Sequence, residues 1–356
     1  MCDRQEKKEN TMWESIIGHE TNKIFLKNML TGERQTPSLL FCGPEGIGKK
    51  KMARAFARSF LCLEDPLVPC HCRSCQAMDN GSHQDFIQVE PGGKSRTIGV
   101  DAIHQLAASA ALGPVLSPFK VCLIDEAHTM REEAQNSLLK LLEEPPDYWL
   151  FILVADDREK LLPTIRSRVM ELRFDPLSME DTERVLETIR LQENDRPESL
   201  KDAELSQAEA RWREQLPILA RLAGGSAGKA LEWFRLDALT LREEILDLVE
   251  QAGREDILVY ADGLPWMLKN DRQESLVLME LLLLLFRDGL ILETGLSQPL
   301  YNEDLRQRLA MCFAGWTEGM LRKGLELEEK CRRAIASFVT RRMAVEALAL
   351  EIHQML

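Results

Sequence analysis

The run Gly43-Pro44-Glu45-Gly46-Ile47-Gly48-Lys49-Lys50 has the residue types and spacing to hold phosphate. Glycines let consecutive backbone N–H groups curl around phosphate oxygens, a lysine reaches the outer phosphates, and a following hydroxyl ligates Mg²⁺. Gly43, Gly46, Gly48 and Lys49 are in place, but Lys50 stands where the Ser or Thr belongs. An ammonium there puts a cation where the divalent metal would sit, and phosphoryl transfer depends on positioning and metal-assisted charge stabilisation. The expectation is a nucleotide-binding fold that has stopped hydrolysing. Further along, Asp125 and Glu126 close an apolar run. In an active ATPase the Asp of such a pair holds Mg²⁺ through water and the Glu polarises the attacking water. The cysteines Cys62, Cys70, Cys72 and Cys75 offer a second kind of chemistry. Zinc favours four soft ligands in a tetrahedron, and four cysteines close its coordination sphere, so an ion here is structural. Cys72-Arg73-Ser74-Cys75 has good zinc spacing and Cys70-His71-Cys72 is tight, so His71 or His83 could replace one cysteine. Unrelated reduced thiols, or a site degraded by a deletion, are the alternatives.

The elements that must position these residues follow from hydrophobic patterning. Leu39 to Cys42, Phe86 to Val89, Val121 to Ile124, Leu150 to Val154 and Val169 to Leu172 read as buried strands. Between them, Lys51 to Leu63, Val100 to Leu112 and Arg131 to Glu144 read as helices, the last stopped by Pro145-Pro146. Strand and helix alternating in this way imply an α/β fold, a parallel sheet with helices on both faces. Ligands bind at the carboxyl ends of such strands, where the glycine loop and Asp125-Glu126 both fall. Beyond the sheet the pattern turns helical. Leu241, Ile245, Leu248 and Val249 recur at helical spacing, as do Ala344, Leu348 and Ile352. The run Leu276 to Phe286 is too short to span a bilayer and reads as a fully buried helix. The polar stretch from about Gln192 to Arg213 reads as a solvated helix or a disordered insertion.

Composition sets limits. A net charge of −13 over 356 residues argues against a free-standing nucleic-acid binder, which would present a basic surface. The polar start Met1-Cys2-Asp3-Arg4-Gln5-Glu6 lacks the apolar core of an export signal, so a cytoplasmic protein with reduced thiols or metal-ligating cysteines is expected. Asp125-Glu126-Ala127-His128 also spells a helicase motif, a reading set aside for want of a second motor domain.

Five segments together resemble the bacterial clamp-loader subunits of DNA polymerase III, the gamma/tau/delta-prime family of the AAA+ superfamily. They are Gly43 to Lys49, the cysteine loop, Asp125 to His128, Asn136 to Pro146, and Thr164-Ile165-Arg166-Ser167-Arg168. The resemblance is strongest from about Trp13 to Leu172. It implies an AAA+ sheet domain over 1–174, a small helical lid over 175–236 and an all-α collar used in oligomerisation over 237–356. The family holds hydrolysing and non-hydrolysing subunits, and in three departures from the ATPase pattern this chain resembles the non-hydrolysing kind. Lys50 removes the metal-binding hydroxyl; Ala155-Asp156 replaces a phosphate-sensing Thr, where a carboxylate would repel triphosphate; and Gly228 replaces the lid arginine, with Lys229 turned about 100° around the helix. These weigh against ATP occupancy and leave binding without hydrolysis open.

The resemblance also implies that Ser167-Arg168 carries a trans-acting arginine finger, with Arg166 the nearest rival. It implies a hetero-oligomer with gamma/tau and delta subunits that reaches the sliding clamp and primed DNA through the assembly, a structural Zn²⁺, and no membrane. Two other functions fit the residues less well: an active AAA+ ATPase of gamma/tau type or related replication or recombination factor, and a zinc-stabilised interaction protein outside replication.

Overall fold

The computed structural model describes residues 13–31, 37–93, 96–110, 112–192, 202–252, 255–263, 272–336 and 341–355. They fall into two compact units, Met1–Arg184 and Val185–Leu356. The first unit runs α1 (Glu20–Thr31), β1 (Leu39–Cys42), α2 (Lys49–Phe60), α3 (Arg73–Asp79), β2 (Phe86–Val89), α4 (Val100–Ala110) and β3 (Lys120–Ile124). It continues through α5 (Glu132–Glu143), β4 (Trp149–Ala155), α6 (Pro163–Arg166) and β5 (Met170–Arg173), and α7 (Met179–Gln192) begins within it. The five strands are all parallel, in the order β2-β3-β4-β1-β5.

Side chains alternate across a strand, so each apolar run feeds two cores. Leu39, Phe41, Leu150, Ile152 and Val154 pack on one face with Met52, Phe56 and Phe60 of α2. Leu40, Cys42, Phe151 and Leu153 pack on the other with Ile103 and Leu106 of α4 and Ala134, Leu138 and Leu142 of α5. The i, i+4 spacing of that α5 triplet is what makes it one buried stripe. This double burial is why β4 is apolar throughout rather than alternating. The helix after the glycine loop starts at Lys49 rather than Lys51, because Gly48 takes the left-handed conformation that turns the chain into it. It ends at Phe60 rather than Leu63, where the cysteine loop takes over.

The second unit is helical: α8 (Asp202–Leu222), α9 (Ala227–Arg235), α10 (Ala238–Glu250), α11 (Ile257–Asp262), α12 (Arg272–Thr294), α13 (Arg306–Cys312), α14 (Glu318–Ala336) and α15 (Arg341–Met355). One hydrophobic core extends from Leu186 to Ile352 and includes Leu241, Ile245, Leu248, Val249, Ala344 and Leu348. It crosses the point, near Asp237, at which a lid and a collar were expected to divide. Leu276 to Phe286 lies in α12 with most side chains buried, but Leu283 is 37% exposed. Of the polar stretch, 202–213 belongs to α8 and 193–201 lies outside the described residues. No helix among the described residues is long and apolar enough to cross a membrane.

Candidate functional site

The glycine loop leaves β1 at the carboxyl edge of the sheet. Gly43 is fixed by a close approach: a Cβ there would lie 2.1 Å from the carbonyl oxygen of Phe174. That carbonyl is held in place, since the Phe174 N–H donates to the Cys42 carbonyl at 2.7 Å. Gly48, at φ 99°, supplies the turn into α2.

The two lysines of the loop both have partners in this chain. Lys49 is buried, and its ammonium donates to the Gly43 carbonyl (2.7 Å), the Pro44 carbonyl (2.5 Å) and Asp156 Oδ1 (2.7 Å). An ammonium has three protons, so a phosphate can be gripped by Lys49 only if one of these bonds breaks. Asp156 is held in turn by His128, whose Nδ1 accepts the Asp156 N–H at 3.2 Å. The sequence assigns Asp156 repulsion of a triphosphate; the structure gives it a second effect, occupation of the phosphate-binding lysine. Lys50 lies 2.8 Å from Asp125 Oδ2 and 2.5 Å from Glu90 Oε1. Burial lowers its pKa, but the hydrogen bonds to Asp125 and Glu90 outweigh this and raise it. One ammonium thus bridges the carboxylates of Asp125 and Glu90 and offsets one of their two negative charges. Glu90, at the end of β2, has no motif signature and was missed by sequence reasoning.

Asp125 and Glu126 do not act as a pair. Asp125 faces Lys50, whereas Glu126 adopts φ 46°, ψ 43° and meets Arg96 at 3.1 Å. Lys229, in the second unit, pairs with Glu280 at 2.6 Å and lies over the Trp233 ring at 5.0 Å.

Arg168 lies at the other edge of the sheet. It precedes β5, and the Met170 N–H bonds to the Ser38 carbonyl at the amino end of β1, whereas the glycine loop follows its carboxyl end. The length of β5, about 10 Å, separates the two edges. The Arg168 guanidinium is 2.6 Å from Glu143 Oε1 and donates to the Thr164 carbonyl (3.0 Å) and Ser167 Oγ (3.3 Å). Ser167 Oγ donates to the Thr164 carbonyl at 3.0 Å. Arg166 pairs with Glu159 at 2.7 Å.

The four cysteines converge. The sulfurs of Cys62, Cys70, Cys72 and Cys75 lie within 4.8 Å of one another. A tetrahedral ion with Zn–S bonds of about 2.3 Å needs sulfurs about 3.8 Å apart, so the set fits zinc with small adjustment. The Glu64 N–H points at Cys62 Sγ and the Cys72 N–H at Cys70 Sγ, both at 3.4 Å, a donor pattern that favours thiolates. Burial raises the Cys72 thiol, yet hydrogen bonds at the Cys75 and Leu63 backbone and from its sulfur neighbours bring it down to about 7. Burial pushes Cys70 up to about 12. Of the histidine alternatives, His83 is fully engaged: Nε2 meets Ser74 Oγ at 2.8 Å and Nδ1 accepts the Asp85 N–H at 3.0 Å. The His71 side chain is not among the converging groups.

With this geometry established, similarity to known proteins gives the lineage. Residues 18–178 match the family described as DNA polymerase III, delta subunit. The delta-prime subunit of Bacillus subtilis DNA polymerase III is 29% identical over 294 residues, 80% of each chain. Through residues 18–178 this chain is similar to the DNA polymerase III delta-subunit family. The tau/gamma subunit of Haemophilus influenzae is 34% identical over 181 residues, 50% of this chain but only 26% of that longer protein. Among solved structures, a DNA polymerase III gamma subunit-related protein of Thermotoga maritima is 18% identical, with a TM-score of 0.45 over 97% of this chain and 99% of that one. The glycine loop, the cysteine cluster, Asp125 and Arg168 all lie within the span that matches the delta-subunit family, while Lys229 lies outside it. The parallel sheet between helical layers is the α/β fold that the alternation of strands and helices predicts.

Proposed function

We propose that this chain is a delta-prime-like subunit of the DNA polymerase III clamp loader, a scaffold that does not itself hydrolyse nucleotide. Its Arg168, with Ser167 beside it, reaches in trans to the triphosphate of a neighbouring gamma/tau-type subunit. The observation that carries the first part is the Lys50 ammonium on Asp125, a fixed cation in contact with the carboxylate that would hold Mg²⁺. Lys49, bonded to Asp156, adds a second obstacle to phosphate. The second part is supported by the position of Arg168 across the sheet from the chain's own loop. A guanidinium is permanently charged and bidentate, so it can stabilise transition-state charge at a site on another subunit.

On this reading Zn²⁺, held by Cys62, Cys70, Cys72 and Cys75, is structural: four thiolates leave no open coordination position for substrate. The helices of the second unit serve as lid and collar, joining the chain to gamma/tau and delta subunits in a cytoplasmic hetero-oligomer. That assembly opens the sliding clamp and places it on primed DNA. The test is ATP hydrolysis by the purified chain alone, and after mixing with gamma-type and delta subunits in the presence of clamp and primed DNA. Silence alone with stimulated turnover in the mixture is expected. Turnover by the isolated chain would replace this reading with an active ATPase of gamma/tau type.

A further inference from the structure

Cys70 and Cys72 are separated by a single residue, tighter spacing than a zinc knuckle ordinarily uses, and yet both sulfurs face the same point. The backbone between them is held from outside. Arg58, on the last turn of α2, donates Nη2 to the Cys70 carbonyl at 3.0 Å. The same guanidinium forms a two-pronged pair with Asp79, Nε to Oδ1 at 2.7 Å and Nη2 to Oδ2 at 3.0 Å. Asp79 is the last residue of α3, the helix that carries Cys75. On the next residue of the tight turn, Gln76 Nε2 donates to the His71 carbonyl at 2.8 Å. Arg58 also stands four residues before Cys62, which follows the end of α2. One side chain therefore links the segments that supply three of the cysteines: the end of α2 with Cys62, the turn with Cys70, and α3 with Cys75.

Charge supports the same assignment. Four thiolates around Zn²⁺ carry a net double negative charge, which a cation nearby stabilises. Arg58 is mostly buried and paired with Asp79 at 2.7 Å, and a guanidinium is permanently charged, so it sets a fixed cation beside the cysteine loop. We propose that Arg58 is the positioning residue of the metal site, fixing the Cys70 carbonyl so that the tight Cys70-His71-Cys72 turn delivers both sulfurs to one ion. This rests on the zinc reading above. It also gives Arg58, a residue of the helix that begins at the glycine loop, a role that nucleotide chemistry does not require.

The test uses the full-length chain, stripped of metal and titrated with Co²⁺ and with Zn²⁺ against a chromophoric chelator. Co²⁺ in a four-thiolate site reports geometry through its ligand-field and sulfur charge-transfer bands. Three variants are compared: Arg58→Gln, Arg58→Lys, which keeps the charge without the two-pronged geometry, and Asp79→Asn, which leaves the guanidinium but weakens its anchor. Arg58→Gln is expected to lose roughly 10- to 100-fold in affinity, the usual range for outer-shell partners. Arg58→Lys should recover only part of it, and Asp79→Asn should fall between. Far-UV circular dichroism of each metal-free variant separates a weakened site from a chain that no longer folds; if Arg58→Gln unfolds, Asp79→Asn decides. Wild-type affinity and an unchanged Co²⁺ spectrum in Arg58→Gln, or in Asp79→Asn where it decides, would overturn the role of Arg58 while leaving zinc in place. A wild-type chain that shows no thiolate bands with Co²⁺ would instead remove the zinc reading itself.

Discussion

Replacing Asp156 by Thr should restore a grip on phosphate that this chain has lost. Lys49 is only 4% exposed, and Asp156 Oδ1 at 2.7 Å takes one of its three protons. A hydrogen bond to a charged group contributes about 1.5–3 kcal/mol net. An incoming phosphate must offset that to displace the carboxylate. Removing Asp156 deletes the competitor and one negative charge, so nucleotide affinity should rise by about tenfold to about a hundredfold. The ammonium keeps the Gly43 and Pro44 carbonyls, which limits the loss of stability to about 1–3 kcal/mol. Adding Lys50→Thr should make the gain depend on Mg²⁺, because Asp125 and Glu90 are then free of their ammonium. The assay is fluorescence anisotropy of a labelled ATP analogue on the full chain, with and without Mg²⁺. A folded double variant that binds no better than wild type would refute the reasoning, as would wild-type protein that binds MgATP tightly.

Three other outcomes follow from the same geometry. Gly43→Ala should cost about 3 kcal/mol in urea unfolding, since its Cβ would meet the Phe174 carbonyl at 2.1 Å; a loss under about 1 kcal/mol would mean that the backbone after β5 yields. The Lys50–Glu90 contact sets a pH dependence: Glu90 is held below the ordinary carboxylate range by the Lys50 hydrogen bond, against the effect of burial. Its contribution is complete above roughly pH 4.3 and fades as the pH falls through the lower folded value. Lys50, raised in the folded state, contributes below the ordinary lysine pKa and loses its contribution as the pH rises through the higher folded value. Lys50→Met should flatten both limbs of a stability–pH curve, and identical curves would exclude the contact. Chelation of zinc should lower Tm by about 5 °C or more, an effect absent in Cys72→Ser; a chain whose melting is unmoved by chelator would contradict a structural metal.

Much of the fold is legible from local pattern. Leu39–Cys42 and Phe86–Val89 are strands with the expected bounds, and the others differ by a residue or so at their ends. Those ends are set by the parallel ladder, which pairs Lys120 with Trp149, Cys42 with Ala155 and Arg173, and Leu39 with Met170, rather than by hydropathy. The missing hydroxyl at Lys50 is visible because a motif fixes what should stand there. Its partner Glu90 is not, since a lone acid at a strand end has no signature. The Lys49–Asp156 pair joins residues 107 positions apart, the first residue of α2 and the residue just past β4, the strand that pairs with β1. Only the sheet order brings them together, and a sequence without that order reads Asp156 as repulsion alone. Arg58 was hidden for the same reason. It looks like a solvated helix residue until α3 folds back and sets Asp79 against it. His83, open as a ligand in sequence, is buried in a hydrogen-bond network with Ser74 and Asp85.

The most direct test of the account is the ATPase rate of a reconstituted clamp loader, with clamp and primed DNA present, carrying Arg168→Ala in this subunit. The side chain is surface-placed and pairs with Glu143, so the variant should fold and assemble as wild type does. Turnover should fall by at least about tenfold with assembly unchanged, the signature of a lost trans-acting guanidinium. An unchanged rate in a fully assembled complex would take Arg168 out of the mechanism and contradict the central claim.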